Sequence, residues 1–257
     1  MKIAFLHLKL SRGPVADNAV KIADNLRRAA RAGAGWVVTP ETALQGYFFA
    51  LNDAHFERNL VPNYKIDDML ALSRELGVLT FLCCGEYNPA TGKSYNSCLA
   101  ISPAGEIVGR QYKMTGHDVG AEAWSQKGST LAAFYYERQK IGILICSDSW
   151  YDKNAEAAKA QAVDLVIVPA AWQDFDCGGG LPEKAWQRCS LISGAPVWVC
   201  NQTGKTPTMD LGTAKSAVVV NGMTRLAYNG KEAILLFEWD EAAGKLLSES
   251  FEVLPLA

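Results

Sequence analysis

The stretch Ile141-Gly-Ile-Leu-Ile-Cys-Ser-Asp-Ser-Trp-Tyr151 is a mostly apolar run that becomes polar directly after its cysteine. A short apolar run predicts a buried β-strand, and the polar residues mark the carboxyl end of that strand. Because cysteine is among the most frequently buried residues, the run alone favours Cys146 as a core residue. The alternative is that Cys146 is a nucleophile presented at the end of the strand.

Segments with strand and helix patterns alternate on both sides of this stretch. Apolar residues recur with the helical period over Val15–Ala32, between the strand patterns Ile3–Leu8 and Trp36–Thr39. Asn96–Ser102 and Ile107–Tyr112 are joined by a Pro-Ala-Gly sequence that is typical of a hairpin turn. The same patterns predict helices at Ile66–Leu76, Ala155–Ala162 and Glu183–Ser193, and strands at Val78–Cys84, Ala132–Glu137, Lys140–Cys146, Leu165–Pro169, Val197–Cys200, Ser216–Asn221, Thr224–Ala227 and Ala233–Trp239. No linker composition divides the chain, so we expect one α/β domain over residues 1–257, with helices covering mixed sheets.

The composition limits the classes of partner. The chain has 257 residues, of which 49% are hydrophobic, and a formal net charge of −2, so nucleic acid and anionic membranes are not expected partners. No stretch approaches the ~18 apolar residues of a membrane-spanning helix, and the amino-terminal residues resemble a strand rather than a signal peptide. The seven cysteines, an odd number without a secretion signal, predict reduced thiols and a cytoplasmic location. Metal-ligand spacing and glycine-rich phosphate loops are missing from the sequence, so we expect neither a metal nor a cofactor.

Three predicted strands are each followed by a chemically reactive side chain. Glu41 comes shortly after Trp36–Thr39, Lys113 directly follows Ile107–Tyr112, and Cys146 ends its own apolar run. In α/β sheets, ligands bind beyond the carboxyl ends of strands. Each residue taken singly is more often a solvated or a core residue, but together they form a candidate site.

The residues available to activate Cys146 narrow the chemistry. A nucleophilic cysteine needs a base or a cationic neighbour, and it is expected to have a lowered thiol pKa. The chain has three histidines, His7, His55 and His117, and it lacks the local motifs of papain-type enzymes and of nucleophile elbows. A glutamate held in a dry pocket has a raised pKa that suits it to exchange protons with a thiol. A nearby lysine stabilises the thiolate and an attacked carbonyl oxygen.

The order Glu, Lys, Cys, with the residues around each, resembles the nitrilase superfamily of carbon–nitrogen hydrolases. The resemblance extends from about Ile3 to Trp239. Three segments resemble the motifs that carry the catalytic residues of that superfamily: Pro40–Tyr47, Gly109–Lys113 and Ile143–Tyr151. Three more resemble its framework motifs: Asp164–Trp172, Val199–Gly204 and Ile234–Asp240.

The resemblance implies an αββα sandwich, usually paired in a homodimer so that two sandwiches stack. It also implies a catalytic set in which Glu41 is the general base, Lys113 stabilises negative charge and Cys146 is the nucleophile. A fourth residue, a second glutamate between the lysine and the cysteine, is best matched by Glu122.

Four further residues are candidates for contact with a substrate. Ser147 follows the nucleophile, and its backbone N–H is expected to help bind an oxyanion. Trp172 is either a pocket wall or a core residue, Tyr47 lies in the glutamate motif, and His117 lies close to Lys113 in the chain. The segment Cys177-Gly-Gly-Gly180 is interpreted as flexible, either covering the mouth of the site or a plain loop.

Departures from the family pattern leave the substrate open. Ser147 stands where an aromatic residue is common, Asp152-Lys-Asn replaces a usual Pro-Glu, and Ser193-Gly194 replaces an acidic position. Asp148, two residues after the nucleophile, resembles the amidase pattern. We therefore expect hydrolysis of a small amide through a cysteine thioester. The alternatives are hydrolysis of an N-carbamoyl compound or a nitrile, acyl transfer on the same site, and a catalytically silent binding protein.

Overall fold

Two β-sheets packed face to face, each covered by helices on its outer side, form the framework. The computed structural model describes residues 1–10, 14–51, 55, 60, 64–176, 180–205 and 209–256. One apolar core lies between the two sheets, and a second lies between the first sheet and its helices. This arrangement confirms the predicted αββα sandwich.

In the described part of the chain, the first sheet contains eight strands, among them the amino-terminal one. Its strands are β1 (Lys2–His7), β2 (Ala34–Val38), β3 (Leu79–Asn88), β4 (Lys93–Ile101), β5 (Ile107–Tyr112), β14 (Ala233–Asp240), β15 (Lys245–Leu246) and β16 (Glu252–Pro255). The order across the sheet is β15-β14-β1-β2-β3-β4-β5, and β16 pairs with β14. Successive side chains of a strand face opposite sides, so Ile3 and Phe5 enter the core between the sheets, whereas Ala4 and Leu6 pack against helices.

The second sheet has six strands among the residues that the structure describes. They are β6 (Phe134–Tyr136), β7 (Gln139–Ile143), β8 (Leu165–Ala170), β9 (Val197–Asn201), β12 (Ser216–Val220) and β13 (Met223–Tyr228), in the order β13-β12-β9-β8-β7-β6. The three central strands are parallel, and residues such as those of β8 are buried on both faces. A separate short pair consists of β10 (Gly204–Lys205) and β11 (Asp210–Leu211).

Within the described residues, four α-helices form the outer layers. On the first sheet, α1 (Val15–Arg31) buries Ala19, Ile22 and Leu26 at helical spacing, beside α2 (Tyr64–Leu76). On the second sheet lie α3 (Asp152–Ala160) and α4 (Pro182–Ser193). Helix α4 starts with a proline and ends at Gly194, whose φ of 74° is the left-handed conformation that glycine adopts easily. None of the helices in the described part of the chain is both long and apolar enough to cross a bilayer.

The structure corrects the predicted strand at Lys140–Cys146. Strand β7 ends at Ile143, and Cys146 instead begins a short 3-10 helix, Cys146–Trp150. The reason is local: the N–H of Leu144 still pairs with Ile167, but the N–H of Ile145 donates to the Asp148 carboxylate, 3.1 Å away. The chain therefore leaves the sheet before the cysteine, and Cys146 lies in the turn that follows the strand.

Candidate active site

The four predicted catalytic residues meet at the carboxyl ends of strands from both sheets. Lys113 directly follows β5, and Glu41 comes three residues after the end of β2. Cys146 comes three residues after the end of β7, which belongs to the second sheet. Glu122 ends a short 3-10 helix, Gly120–Glu122. The site thus lies on the seam between the two sheets.

Lys113 is at the centre of the group and has almost no contact with solvent. Its Nζ donates to Glu41 Oε1 at 2.7 Å and also forms an ion pair with Glu122 Oε1. Burial by itself lowers a lysine pKa, but the charges of Glu41 and Glu122 and of a Cys146 thiolate outweigh it and raise the pKa of Lys113 well above its usual value. Lys113 is therefore a permanent cation at neutral pH.

Glu41 is fully buried, and its two carboxylate oxygens have different partners. Oε1 accepts from Lys113 and, at 2.8 Å, from the Asn96 side chain, whereas Oε2 accepts from the N–H of Ala171 at 3.1 Å. Burial raises the pKa of Glu41, and the Lys113 charge only partly opposes this. Oε2, with the smaller number of donors, is the oxygen best placed to receive a further proton.

Cys146 has an unusual backbone and a deeply buried side chain. Its φ of 51° lies in the left-handed region, which a residue with a Cβ adopts only when its surroundings hold it there. The thiol lies beside the Glu41 carboxyl and the N–H of Ala171. Burial and the charge of Glu41 raise the pKa of Cys146 well above its usual value. The expectation of a lowered thiol pKa was wrong, because burial and then the charge of Glu41 outweigh the opposing charge of Lys113.

Glu122 is held in its ionised form. Its carboxylate accepts from Lys113, from the Tyr47 hydroxyl at 2.7 Å and from the N–H of His117 at 3.0 Å. Burial would raise the pKa of Glu122, but the charge of Lys113 and these hydrogen bonds lower it overall. The buried pair of glutamates is therefore unequal: the pKa of Glu41 is raised and that of Glu122 is lowered.

Asp148 fastens the segment after Lys113 to the turn that carries Cys146. Its buried carboxylate accepts from the N–H groups of Met114 and Thr115 at 3.0 Å and 2.7 Å, and from the N–H of Ile145 at 3.1 Å. Burial is the main reason that the pKa of Asp148 is raised. The sequence relates Asp148 to the type of substrate but gives no sign that it holds these two segments together.

A pocket of about 260 Å³ opens beside Cys146. The described residues that line it are Tyr47, His117, Glu122, Cys146, Ser147, Trp150, Tyr151, Ala171, Trp172, Gln173, Phe175 and Met209. All four residues predicted to contact substrate are among them, although the His117 side chain is largely exposed. Their roles in binding stay predictions. Of the segment interpreted as flexible, residues 177–179 lie outside the described residues.

Several residues of the site could not be found by motif. Asn96 lies in the middle of β4, and its only signal is a polar residue in an apolar strand. Ala171 contributes a backbone N–H, which any residue type provides. Trp150 and Met209 are typical core residues by type. Among the described residues, no group of three or more His, Cys, Asp or Glu is arranged to hold a metal ion.

Known proteins with related sequences include an NAD(+) synthetase and amidases. Residues 6–237 match the family model described as carbon–nitrogen hydrolase. The chain is 26% identical to the glutamine-dependent NAD(+) synthetase of Synechocystis sp., with 99% of this chain aligned to 49% of that protein. It is 27% identical to the N-carbamoylputrescine amidase of Arabidopsis thaliana, covering 91% of this chain and 81% of the relative. The chain therefore spans about half the length of the synthetase but most of the plant amidase.

Solved structures with the same fold include amidases. The NitN amidase of Nesterenkonia sp. AN1 superposes with a TM-score of 0.81 at 19% identity, covering 94% of each chain. Nit3 of Saccharomyces cerevisiae, a member of the nitrilase superfamily, gives a TM-score of 0.80 at 17% identity and covers 95% of this chain and 91% of its own. In variants of the Nesterenkonia amidase, acrylamide and fluoroacetamide have reacted covalently at the active-site cysteine.

Proposed function

The chain belongs to the carbon–nitrogen hydrolase family, and on that premise we propose that it hydrolyses the amide bond of a small molecule through a thioester on Cys146. The observation that carries the proposal is the fully buried Glu41 carboxylate, which accepts from the Lys113 ammonium at 2.7 Å and lies beside the Cys146 thiol. That contact unites a nucleophile, a base and a positive charge within one water-poor site.

The first half of the reaction forms the thioester. As the Cys146 sulfur attacks the carbonyl carbon, its proton passes to Glu41 Oε2. The raised pKa values of both groups suit this transfer, because the resting thiol is neutral and the carboxylate is a stronger base than usual. Glu41 then gives the proton to the nitrogen, the C–N bond breaks, and the amine or ammonia leaves.

The oxyanion formed by the attack needs positive charge close by. The Lys113 ammonium and the N–H of Ser147 are the donors that we assign to it. Removing one donor of an oxyanion hole typically lowers the rate about 10²–10³-fold. Glu122 keeps Lys113 in place, since it forms an ion pair with that ammonium and is itself held by Tyr47.

The second half of the reaction releases the acid. Glu41 takes a proton from a water molecule as the water oxygen attacks the thioester carbon. The tetrahedral species collapses, the C–S bond breaks, and the sulfur recovers its proton from Glu41. The products are a carboxylic acid and the free enzyme, so the atoms balance without a cofactor.

Turnover of simple amides by purified protein tests this proposal. We expect release of ammonia and the matching acid, and an acyl group on Cys146 in the intact mass after an acid quench. Cys146→Ala should abolish both signals. Cys189→Ala, which shortens another buried cysteine in α4, is the matched control and should keep activity. Turnover by Cys146→Ala near the wild-type rate would refute the mechanism.

A ureido compound is the second candidate substrate. It is supported by the N-carbamoylputrescine amidase of Arabidopsis thaliana, which aligns with 91% of this chain. The Cys146 sulfur would attack the carbamoyl carbon with the help of the same residues. The products would be carbon dioxide, ammonia and the free amine. Comparing N-carbamoyl amines, amides and nitriles in one assay ranks the three bond types. Adding hydroxylamine and measuring hydroxamate detects acyl transfer in place of hydrolysis.

Assembly as a homodimer and a cytoplasmic location stay predictions. Leu191 packs against Gly222, and the neighbouring Met223 is half exposed, which gives a small apolar patch outside α4 and β13. If two copies associate through this patch, Leu191→Asp should convert dimer to monomer in light scattering, whereas Leu247→Asp, at another exposed leucine, should not. A wild-type protein that is monomeric at all concentrations would refute the dimer.

A further inference from the structure

We infer that Asn201 is a positioning residue of the active site, one that sets the contact between the base Glu41 and the N–H of Ala171. This inference rests on the proposed amide hydrolysis, in which Glu41 transfers the protons. It follows from three features of the structure: the two hydrogen bonds of the Asn201 side chain, the neighbouring contact of Gln202 with Glu41, and the way in which Asn201 itself is held.

The Asn201 side chain fixes a peptide segment beside Glu41. Asn201 is the last residue of β9, and its side chain is buried. Its Oδ1 accepts from the N–H of Trp172, and its Nδ2 donates to the carbonyl of the same residue, at 2.9 Å each. One amide group, which offers both a donor and an acceptor, thus holds both main-chain polar groups of Trp172. Two bonds to one residue restrict its rotation as well as its translation.

That segment carries the N–H that binds the base. The N–H of Ala171 donates to Glu41 Oε2 at 3.1 Å, and Oε2 is the oxygen to which we assign the transferred proton. Strand β8 ends at Ala170, which is the last residue of β8 that pairs with β9. Ala171 and Trp172 therefore lie beyond the main-chain ladder, and the Asn201 side chain holds them where the ladder no longer does.

The next residue in the chain holds the other side of the same contact. The Gln202 side chain donates to the main-chain carbonyl of Glu41 at 2.8 Å, and the Gln202 N–H donates to the Ala170 carbonyl at 3.0 Å. Glu41 follows a strand of the first sheet, whereas Ala170 belongs to the second. Residues 201 and 202 therefore join the segment of the base to the segment of its donor, across the seam between the sheets.

Asn201 is itself held by a buried chain of hydrogen bonds. Its N–H donates to Ser216 Oγ at 2.9 Å, and Ser216 Oγ lies 2.9 Å from His7 Nδ1. All three residues are buried. Because a buried polar group without a partner is costly, each member of this chain limits the movement of the next. A residue that only stabilises the fold would change the free energy of unfolding, whereas a positioning residue also changes the protonation of Glu41.

The acid limb of the pH–rate profile reports that protonation. Asn201→Ala frees Trp172, so the N–H of Ala171 should move away from Glu41 Oε2. The ionised carboxylate then loses a donor, which raises the pKa of Glu41, and the decline of kcat/KM at low pH should move to higher pH. We expect kcat to fall about 10–100-fold, with a smaller change in KM. An unmoved acid limb, or a change confined to KM, would overturn the inference.

The other groups around Glu41 stay in place in this variant. Lys113, Glu122 and Cys146 act on the pKa of Glu41, and Glu41 in turn acts on the pKa values of Tyr47 and Cys83. Asn25→Ala is the matched control, since it removes another buried asparagine that donates to a main-chain carbonyl, in α1. It should lower the free energy of unfolding without changing kcat or the acid limb.

Asn201→Asp tests the same contact with a titratable side chain. The protonated carboxyl can accept from the Trp172 N–H and donate to the Trp172 carbonyl, as the amide does, whereas the ionised form can only accept. Burial raises the pKa of a carboxyl group, so this side chain should be protonated in mild acid. The ratio of kcat/KM in Asn201→Asp to that in wild type should therefore rise at least ~5-fold from about pH 8 to about pH 5.5. A flat or falling ratio would contradict the positioning role.

Alkylation of Cys146 separates this inference from the proposed reaction. Iodoacetamide reacts with the sulfur without any amide turnover, and mass spectrometry of the peptide that contains Cys146 measures the rate. Glu41 is the acceptor for the thiol proton, so the rate should decline at a higher pH in Asn201→Ala than in wild type. If no amide is hydrolysed but this shift occurs, the proposed reaction fails and the positioning role stands. If amides are hydrolysed and neither profile moves, only the positioning role fails.

Discussion

At the level of single residues, the site depends on a proton that two buried groups share. The pKa values of Glu41 and Cys146 are both raised, chiefly by burial, so the thiol keeps its proton until a substrate arrives. A neutral resting thiol is poorly reactive toward unrelated electrophiles, since the thiolate is the nucleophilic form. The proposed transfer to Glu41 then produces the thiolate only during attack.

Replacing the base by its amide tests this scheme. Glu41→Gln keeps the shape of the side chain but cannot accept the thiol proton, so we expect kcat to fall about 10²–10⁴-fold, which is the usual contribution of a general base. The fold should survive because Lys113 keeps its ion pair with Glu122. Circular dichroism and steady-state kinetics measure the two effects. The exposed Glu106→Gln is the control, and full activity in Glu41→Gln would contradict the assignment.

The acid side of the pH–rate profile follows from the raised pKa of Glu41. Activity needs the ionised carboxylate, so kcat/KM should decline with falling pH already above the ordinary glutamate value of 4.5. Asn96→Ala removes a hydrogen bond to the charged form and should raise that pKa further. The acid limb must then shift to higher pH. A shift to lower pH would contradict the assignment of Glu41 as the base.

The sequence predicted the side chains of this site better than their environment. Glu41, Lys113 and Cys146 could be located because each follows an apolar strand and lies in a motif. The raised thiol pKa could not be predicted, since it depends first on how deeply the sulfur is buried and then on which charges surround it in space. The role of the Ala171 N–H could not be predicted either, because every residue type except proline provides a backbone donor.

At the level of elements, the ends of β5 and β7 must be kept in register for the ammonium and the thiol to meet. Asp148 performs this task, since one carboxylate binds N–H groups that follow β5 and one that follows β7. Asn154 in α3 in turn donates to the Asp148 carbonyl at 2.8 Å. Helix α3 is thereby connected to the same residue that holds the two strand ends together.

Asp148→Asn should impair catalysis more than substrate binding. The amide has only one acceptor oxygen, and its NH₂ group would face backbone donors, so the two strand ends should separate slightly. We expect kcat to fall about 10²-fold, the typical effect of a misplacement of ~1 Å, with KM little changed. Asp164→Asn, which also removes a carboxylate that accepts a backbone N–H but at an exposed site, is the control. An equal loss in both variants, or a change confined to KM, would contradict a positioning role.

The element types were predictable because the apolar periodicities are strong, but their ends were less so. Strand β5 has the predicted bounds, Ile107–Tyr112. The strand before Cys146 is shorter than predicted because a side chain, Asp148, competes for a backbone N–H that the sheet would otherwise use. The carboxyl-terminal strand Glu252–Pro255 was missed, since it is short and only partly buried.

At the level of the whole molecule, a buried histidine connects the two sheets. His7, in β1, contacts Ser216, in β12, at 2.9 Å through Nδ1, and the Gly230 carbonyl at 3.3 Å through Nε2. Burial lowers the pKa of His7 to about 4 from 6.5, despite the opposing effect of the Gly230 carbonyl. His7 is therefore neutral in the folded chain at pH values where it is charged in the unfolded chain.

The stability of the fold should consequently fall in mild acid. Between pH 6.5 and about 4 the unfolded chain binds a proton at His7 that the folded chain does not, so the free energy of unfolding decreases as the pH falls. The shift corresponds to about 3 kcal/mol. Chemical denaturation at several pH values should show a smaller slope for His7→Gln than for wild type. His117→Gln, at an exposed histidine, should keep the wild-type slope.

The position of the site on the seam between the sheets has a consequence for how the molecule becomes active. The base and the ammonium come from one sheet, whereas the thiol and the Ala171 amide come from the other. A collapsed intermediate with both sheets formed but not yet locked together would have native-like circular dichroism and no turnover. The return of activity during refolding therefore reports the docking of the two sheets. A variant with a less well packed core between the sheets should lose catalysis before it loses secondary structure.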